Sequence, residues 1–268
     1  MTSGQTMLTK RGERWALATA LVLWATVLGA LFFLPGCSSG PELRPPEVTV
    51  APYDASRGEV LWGVVPLRNE SGATVLDRYA ISDKVVAAAE EIRGVRCMPL
   101  NRTIEAMRSL KINEVRTPQD LQAIRAELGV DALLVGAITA YDPYTPTLGL
   151  NLALYARPGT LGQLGAKALD ARVLSSSPVD NAVPSDNGDR PLALISENLD
   201  GKNHQVQMDV KSYAEGRTEA LSALGWRRYL ASMDLFSEFA ASYVVGRMIQ
   251  SEWIRLAGHE ARGEEARN

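Results

Sequence analysis

Side chains able to do chemistry are few and scattered in this 268-residue chain. It has two cysteines, Cys37 and Cys97, and two histidines, His204 and His259, all far apart in sequence. A zinc cluster needs several such ligands at short spacing, and two cysteines make no disulfide scaffold, so both are excluded. No histidine lies near Cys97 to activate it, and Val95, Met98 and Leu100 around it suit a buried strand; an inert structural thiol is expected. His204 and His259 fall in an expected loop and tail, as solvated side chains, and Glu90 and Glu91 on the polar side of an expected helix. Gly-x-Ser-x-Gly, Walker, His-Glu-x-x-His and Cys-x-x-Cys motifs are all missing. The glycines at 159, 162 and 165 do not have dinucleotide-fingerprint spacing. The expectation is a protein that is not an enzyme and holds no cofactor or metal. For recognition the candidates are Asp142 and Tyr144, in Asp142-Pro143-Tyr144-Thr145-Pro146. Two prolines remove two backbone donors there and stiffen a loop. The competing reading is an aspartate that only bonds its own turn.

Cys37 stands in a different setting. Lys10, Arg11 and Arg14 precede an apolar run from Trp15 to Leu34, the pattern of an export signal. The run ends Leu34-Pro35-Gly36-Cys37-Ser38, which resembles a bacterial lipobox. That resemblance implies that residues 1–36 are a lipoprotein signal peptide and that Cys37, as the first mature residue, carries diacylglycerol and palmitate. Gly36 leaves the peptide bond before the cysteine unhindered, and Leu34 suits an apolar pocket; Pro35 departs from the small or branched residue usual there. A plain membrane anchor remains open, because 20 apolar residues at about 1.5 Å each span a bilayer. Both readings place the rest of the chain in the cell envelope, on the periplasmic side. Ser38, where enterobacterial lipoproteins of the inner membrane carry aspartate, favours the outer membrane by that resemblance.

The whole chain has a net charge of −3. Without residues 1–36 the remaining 232 residues carry 25 basic and 30 acidic side chains, net −5. No nucleic-acid partner is expected from such a balance. Nor does an acidic domain dock on anionic headgroups by charge, so membrane contact rests on lipid attached to Cys37.

Several elements must position these residues. Residues 37–57 include Pro41, Pro45, Pro46 and Pro52 and read as a semi-extended tether. The segment 58–156 reads as the core domain. Val60 to Leu67 predicts a buried strand, and Asn69-Glu70-Ser71-Gly72 a turn. Leu76 to Ile92 predicts a helix closed by Gly94, and Val95 to Leu100 a second strand. Asn101 is the expected cap of a helix carrying Ile104, Met107 and Leu110. Thr117-Pro118-Gln119-Asp120 has the form of a capping box, followed by the stripe Leu121, Ile124, Leu128 and the terminator Gly129. Ala132 to Ala140 reads as the third strand. Leu148, Leu150, Leu152 and Leu154 alternate with smaller or polar residues, as in an antiparallel strand with one buried face.

Residues 157–212 read as a loop-rich insertion, with short strands at Ala171–Leu174 and Val206–Val210. From 213 to 257 no proline occurs, and Tyr229, Met233, Phe236, Ala240, Tyr243 and Val244 form a helical stripe suited to pack on a sheet. Residues 258–268 read as a frayed, charged tail. The fold class expected is α/β: a small mixed β-sheet with parallel β-α-β crossovers, an antiparallel edge hairpin, flanking helices and a long C-terminal helix. No long alternating run outside the core suits a membrane strand, so the chain is not expected to form a β-pore.

The strand ending Val65-Pro66-Leu67, its Asn69-to-Gly72 turn, and the unit from Leu128 to Thr139 with its Gly136-x-Ile138-Thr139 step resemble the CsgG family of curli-secretion lipoproteins. LpoB, the penicillin-binding-protein activator, and the amino-terminal domain of TolB share that fold. The resemblance spans about residues 59–156. It implies a non-enzymatic envelope lipoprotein that binds an envelope protein partner in an LpoB-like accessory role. The alternative it implies is a CsgG-like oligomeric subunit of a secretion complex, which leaves a homo-oligomer open.

Overall fold

A computed structural model of the chain describes residues 46–54, 58–161, 190–218 and 222–265, with side chains up to residue 258. The signal segment, Cys37 and the strand expected at Ala171–Leu174 lie outside the described residues. The fold is mixed α/β around a six-stranded sheet of order β3-β1-β4-β5-β6, with the short β2 also paired to β4. Its strands are β1 (Val60–Val64), β2 (Arg68–Asn69), β3 (Val95–Cys97), β4 (Ala132–Asp142), β5 (Thr147–Ala156) and β6 (Ala193–Asp200). The β1 strand lies parallel to both β3 and β4, in the registers Trp62↔Cys97 and Val64↔Leu134. After Val65-Pro66-Leu67 the same chain rejoins β4 as β2. The Asn69 turn follows as expected, its Oδ1 accepting from the Ser71 amide at 3.1 Å and hydroxyl at 2.7 Å.

Helix α1 (Arg78–Glu90) starts at Asp77, whose Oδ1 accepts from the amides of Tyr79 and Ala80. Gly94 turns the chain into β3 with φ +94°, a left-handed conformation that glycine adopts without a Cβ clash. Helix α2 (Leu100–Ser109) corrects one expectation. Pro99 is its N-cap and Asn101 lies inside the first turn, so no side chain caps it. The fixed ring geometry of Pro99 starts the helix two residues earlier than a polar cap at Asn101 would. Helix α3 (Pro118–Leu128) carries the expected capping box. Thr117 Oγ1 accepts from the Asp120 amide at 3.2 Å, and Asp120 Oδ2 accepts from the Thr117 amide at 2.9 Å. The backbone donors of Arg116 and Thr117 hold the Asp120 carboxyl below its ordinary range.

The β4–β5 hairpin is antiparallel, and Leu148, Leu150, Leu152 and Leu154 are all fully buried on its inner face. Gly136 lies opposite Leu152, where an added Cβ would overlap the Asn151 carbonyl oxygen; the close pairing of β4 and β5 requires its bare backbone. The antiparallel side extends one strand beyond this hairpin, because β6 covers β5 from Thr147↔Asp200 to Leu154↔Ala193. The pattern in β6 is weak: Leu194 is exposed while Ala193, Ile195 and Leu199 pack inward.

Two layers of helix cover the sheet. Helix α1 and the long C-terminal helix α6 (Met233–Glu265) enclose the larger core, with Trp62, Phe236 and Phe239 at its centre. On the opposite face α2 and α3 form a smaller core of Met107, Leu121 and Ile124 against Val65, Val130 and Leu133. The strand expected at Val206–Val210 is instead part of helix α4 (His204–Ala214). Its Val206, Val210 and Ala214 are buried at helical spacing, one turn apart. A short helix α5 (Arg228–Ala231) follows, and the chain breaks at Ser232 (φ −130°, ψ 119°) before α6. The helix expected to run through Tyr229 and Met233 is therefore two. Helix α6 continues to Glu265, through most of the segment expected as a frayed tail.

Candidate functional site

Of the side chains singled out for recognition, Asp142 closes β4 and Tyr144 tops the turn into β5. Asp142 Oδ1 accepts from the amides of Tyr144 at 2.9 Å and Thr145 at 3.2 Å. The Thr147 hydroxyl donates to the Thr145 carbonyl at 2.9 Å. From the neighbouring turn the Gly201 amide donates to the Pro146 carbonyl at 2.8 Å. The Asp142 carboxylate thus serves its own turn, the competing reading of the sequence. Tyr144 is 96% exposed, the most exposed large apolar side chain among the described residues. The turn presents a phenol on a backbone fixed from three sides. Beside it, the outer face of β5 and β6 carries Asn151, Ser196 and Asn198, with Leu194 60% exposed.

Buried groups that could do chemistry are closed off instead. Cys97 is buried, and burial with the nearby Glu90 carboxylate pushes its thiol up to about 12. It stays protonated and inert, as its sequence setting suggests. Among the described residues no group of three His, Cys, Asp or Glu side chains could hold a metal ion. His204 is the exposed first residue of α4. Glu90 and Glu91 are exposed, and Glu91 pairs with Arg217 at 2.6 Å.

One cluster gave no local signal. Glu252 of α6 is fully buried and accepts two bonds from Arg255, at 2.8 and 2.7 Å. The Tyr53 hydroxyl donates to the same carboxylate at 3.3 Å, and Arg255 also donates to the Leu161 carbonyl at 2.8 Å. Burial, reinforced by the Glu252 charge, raises the Tyr53 hydroxyl well above its ordinary value. Burial alone would lower Arg255, but its bonds to Glu252 more than offset this and raise it. Next to it the Trp253 indole donates to the Val50 carbonyl at 2.9 Å. Val50 bridges Arg93, and the Ala51 amide donates to the Arg93 carbonyl at 2.9 Å. Residues 46–54 of the expected 37–57 tether are therefore docked on the domain, with Ala51 and Tyr53 buried. The partners lie about 40 and 200 residues away, beyond any local pattern.

No family model matches the chain, and no curated protein matches it. Solved structures do. The LpoB C-terminal domain from Salmonella enterica matches with a TM-score of 0.35 and 9% identity, over 57% of this chain and 86% of that one. Lipoprotein GNA1162 from Neisseria meningitidis matches with a TM-score of 0.36 and 18% identity, over 57% and 94%. A PelC dodecamer from Paraburkholderia phytofirmans matches with a TM-score of 0.32 and 10% identity, over 75% and 93%. LpoB, one of the folds the sequence resembles, is thus among the structures this chain is similar to.

Proposed function

We propose that this chain is a non-enzymatic envelope lipoprotein, anchored through acylated Cys37, whose periplasmic α/β domain binds a protein partner at the β4–β5 turn. The observation that supports the reading is Tyr144, 96% exposed on a turn held by Asp142, Thr147 and Gly201. An exposed aromatic on a preformed turn loses little entropy on contact, and tyrosine is enriched where binding energy concentrates. The Leu34-to-Ser38 motif supports the anchor, with the outer membrane favoured. The docked 46–54 segment fixes the domain's own end of the tether.

The test is a photocrosslinking amino acid at position 144 in intact cells. One discrete adduct with another envelope protein is expected, and its loss when the probe is moved to exposed Arg102 on α2. An adduct at twice the chain's mass supports the CsgG-like oligomer instead, and no adduct above background overturns both. Labelling with a fatty-acid analogue checks the anchor separately: the wild type should be marked and Cys37→Ala not.

A further inference from the structure

Strands β1 and β3 are adjacent and parallel, yet the helices that follow them leave in opposite directions. Helix α1 packs on the face shared with α6, and α2 with α3 on the other. A crevice opens beside the carboxyl end of β1, between the start of α1, the C-terminal half of α2 with the turn after it, and Val135 and Gly136 of β4. In this chain the crevice has a volume of about 380 Å³, within the range of small-molecule sites. Val65, Met107 and Val135 give it an apolar floor.

Five charged residues line it: Arg68, Arg78, Arg108, Lys111 and Glu114. Glu114, the one acid, pairs with Arg116 outside the crevice at 3.3 Å, and Arg68 pairs with Glu70 at 2.8 Å. Arg78 lies over the Tyr79 ring, 4.6 Å from its centroid. Among the described residues no carboxylate pairs with Arg78, Arg108 or Lys111. Three cations without counter-charges thus converge on one concave site, in a chain whose net charge is −3.

Lys111 adds an independent sign. Among the described residues it is the sole non-glycine with a left-handed backbone, φ +58°. It ends α2 in a Schellman turn, with the Lys111 amide donating to the Arg108 carbonyl at 3.1 Å and the Ile112 amide to the Met107 carbonyl at 2.8 Å. Backbone alone satisfies that turn, and glycine fits it without strain. A cation near a helix C-terminus is favourable, but Arg108 already supplies one from an unstrained position. The Lys111 side chain is therefore kept at a conformational cost, as is common where a side chain has a task.

We propose that this crevice binds a small organic dianion, a phosphate monoester or a dicarboxylate on an apolar frame. Arg78, Arg108 and Lys111 neutralise the charge, and Val65, Met107 and Val135 cover the frame. The site is separate from the Tyr144 turn and stands whether or not that turn meets a partner.

The detergent-solubilised full-length chain should be titrated calorimetrically at low ionic strength with phenyl phosphate, phthalate, inorganic phosphate and phenol. One of the two aromatic dianions should saturate a single site about ten-fold more tightly than inorganic phosphate, with phenol silent. Which of them wins separates a phosphate ester from a dicarboxylate. Lys111→Gly should weaken that binding about ten-fold while raising the thermal midpoint, since it removes a left-handed Cβ. Arg108→Gln should weaken binding and lower the midpoint slightly, because its charge also complements the end of α2. No saturable binding of either aromatic dianion, or equal binding of inorganic phosphate, overturns the proposal. So does a Lys111→Gly chain that keeps its affinity, or one that loses affinity and midpoint together while Arg108→Gln binds normally.

Discussion

Arg255→Met tests whether the core of this domain depends on one cation. Glu252 is fully buried and takes two charged donors from Arg255, at 2.8 and 2.7 Å. Methionine keeps much of the aliphatic length and removes both donors. The carboxylate is then left with the Tyr53 hydroxyl at 3.3 Å as its remaining side-chain donor. Removing one member of a buried pair costs about 3–5 kcal/mol, because the other charge stays out of water. Losing the bond to the Leu161 carbonyl, now 2.8 Å, adds about 1 kcal/mol. Domains are typically stable by about 5–15 kcal/mol, so the variant should lose a large share of its stability. Urea melts followed by circular dichroism at pH 7 would read the change. Adding Glu252→Gln removes the stranded charge while keeping an oxygen for Tyr53, and should restore about 2 kcal/mol. A loss below about 1 kcal/mol for Arg255→Met would refute the reasoning. So would a double variant no more stable than the single one, since packing and not charge would then set the cost.

Leu152→Ala, at a fully buried site facing α6, should cost about 2–5 kcal/mol in the same melts, and half-buried Asn151→Ala under about 1 kcal/mol; reversed values would mean the β5 register is wrong. Gly136→Ala should cost about 1–3 kcal/mol by forcing β4 and β5 apart, seen as a lower urea midpoint. Stability should fall on the alkaline side. Cys97 is raised from about 9 to about 12 in the fold, so its contribution is complete below pH 9 and is lost as pH climbs toward 12. Between pH 9 and 10 the slope should approach about 1.4 kcal/mol per pH unit and flatten in Cys97→Ala. Above pH 10 the loss from Tyr53, raised by burial, adds to that from Cys97.

What could be read from the sequence was what sits within a few residues of itself. The Thr117-to-Asp120 box is complete inside four residues, so its donors and acceptors are visible without the fold. The four leucines of β5 alternate without interruption, and only a pleated strand buries such a set on one face. Elements with mixed patterns were harder. Val206, Met208 and Val210 fit a period of two as well as Val206, Val210 and Ala214 fit a helix, and burial of the second set decides between them. β6 hides its alternation behind exposed Leu194 and inward Glu197, which pairs at 3.7 Å with Arg247 of α6. Ser232 did carry a usable signal, a hydroxyl residue two positions before Asp234 in the first turn of α6.

The functional surfaces follow the same division. Two prolines made the Asp142 turn legible as stiff, because proline acts on its own backbone. That the Asp142 carboxylate serves this turn and leaves Tyr144 at 96% exposure depends on where β5 and the Gly201 turn end. The crevice had no sequence signature at all. Arg78, Arg108 and Lys111 come from two elements about 30 residues apart, and each alone reads as a solvated cation on a helix. They converge because the start of α1 and the end of α2 both reach the carboxyl end of β1, a property of the fold and not of spacing. The left-handed Lys111 is likewise visible only as backbone. If its side chain had no task, glycine there would make the same Schellman turn at lower cost. Stability and binding should therefore move in opposite directions in Lys111→Gly, which no purely structural lysine would require.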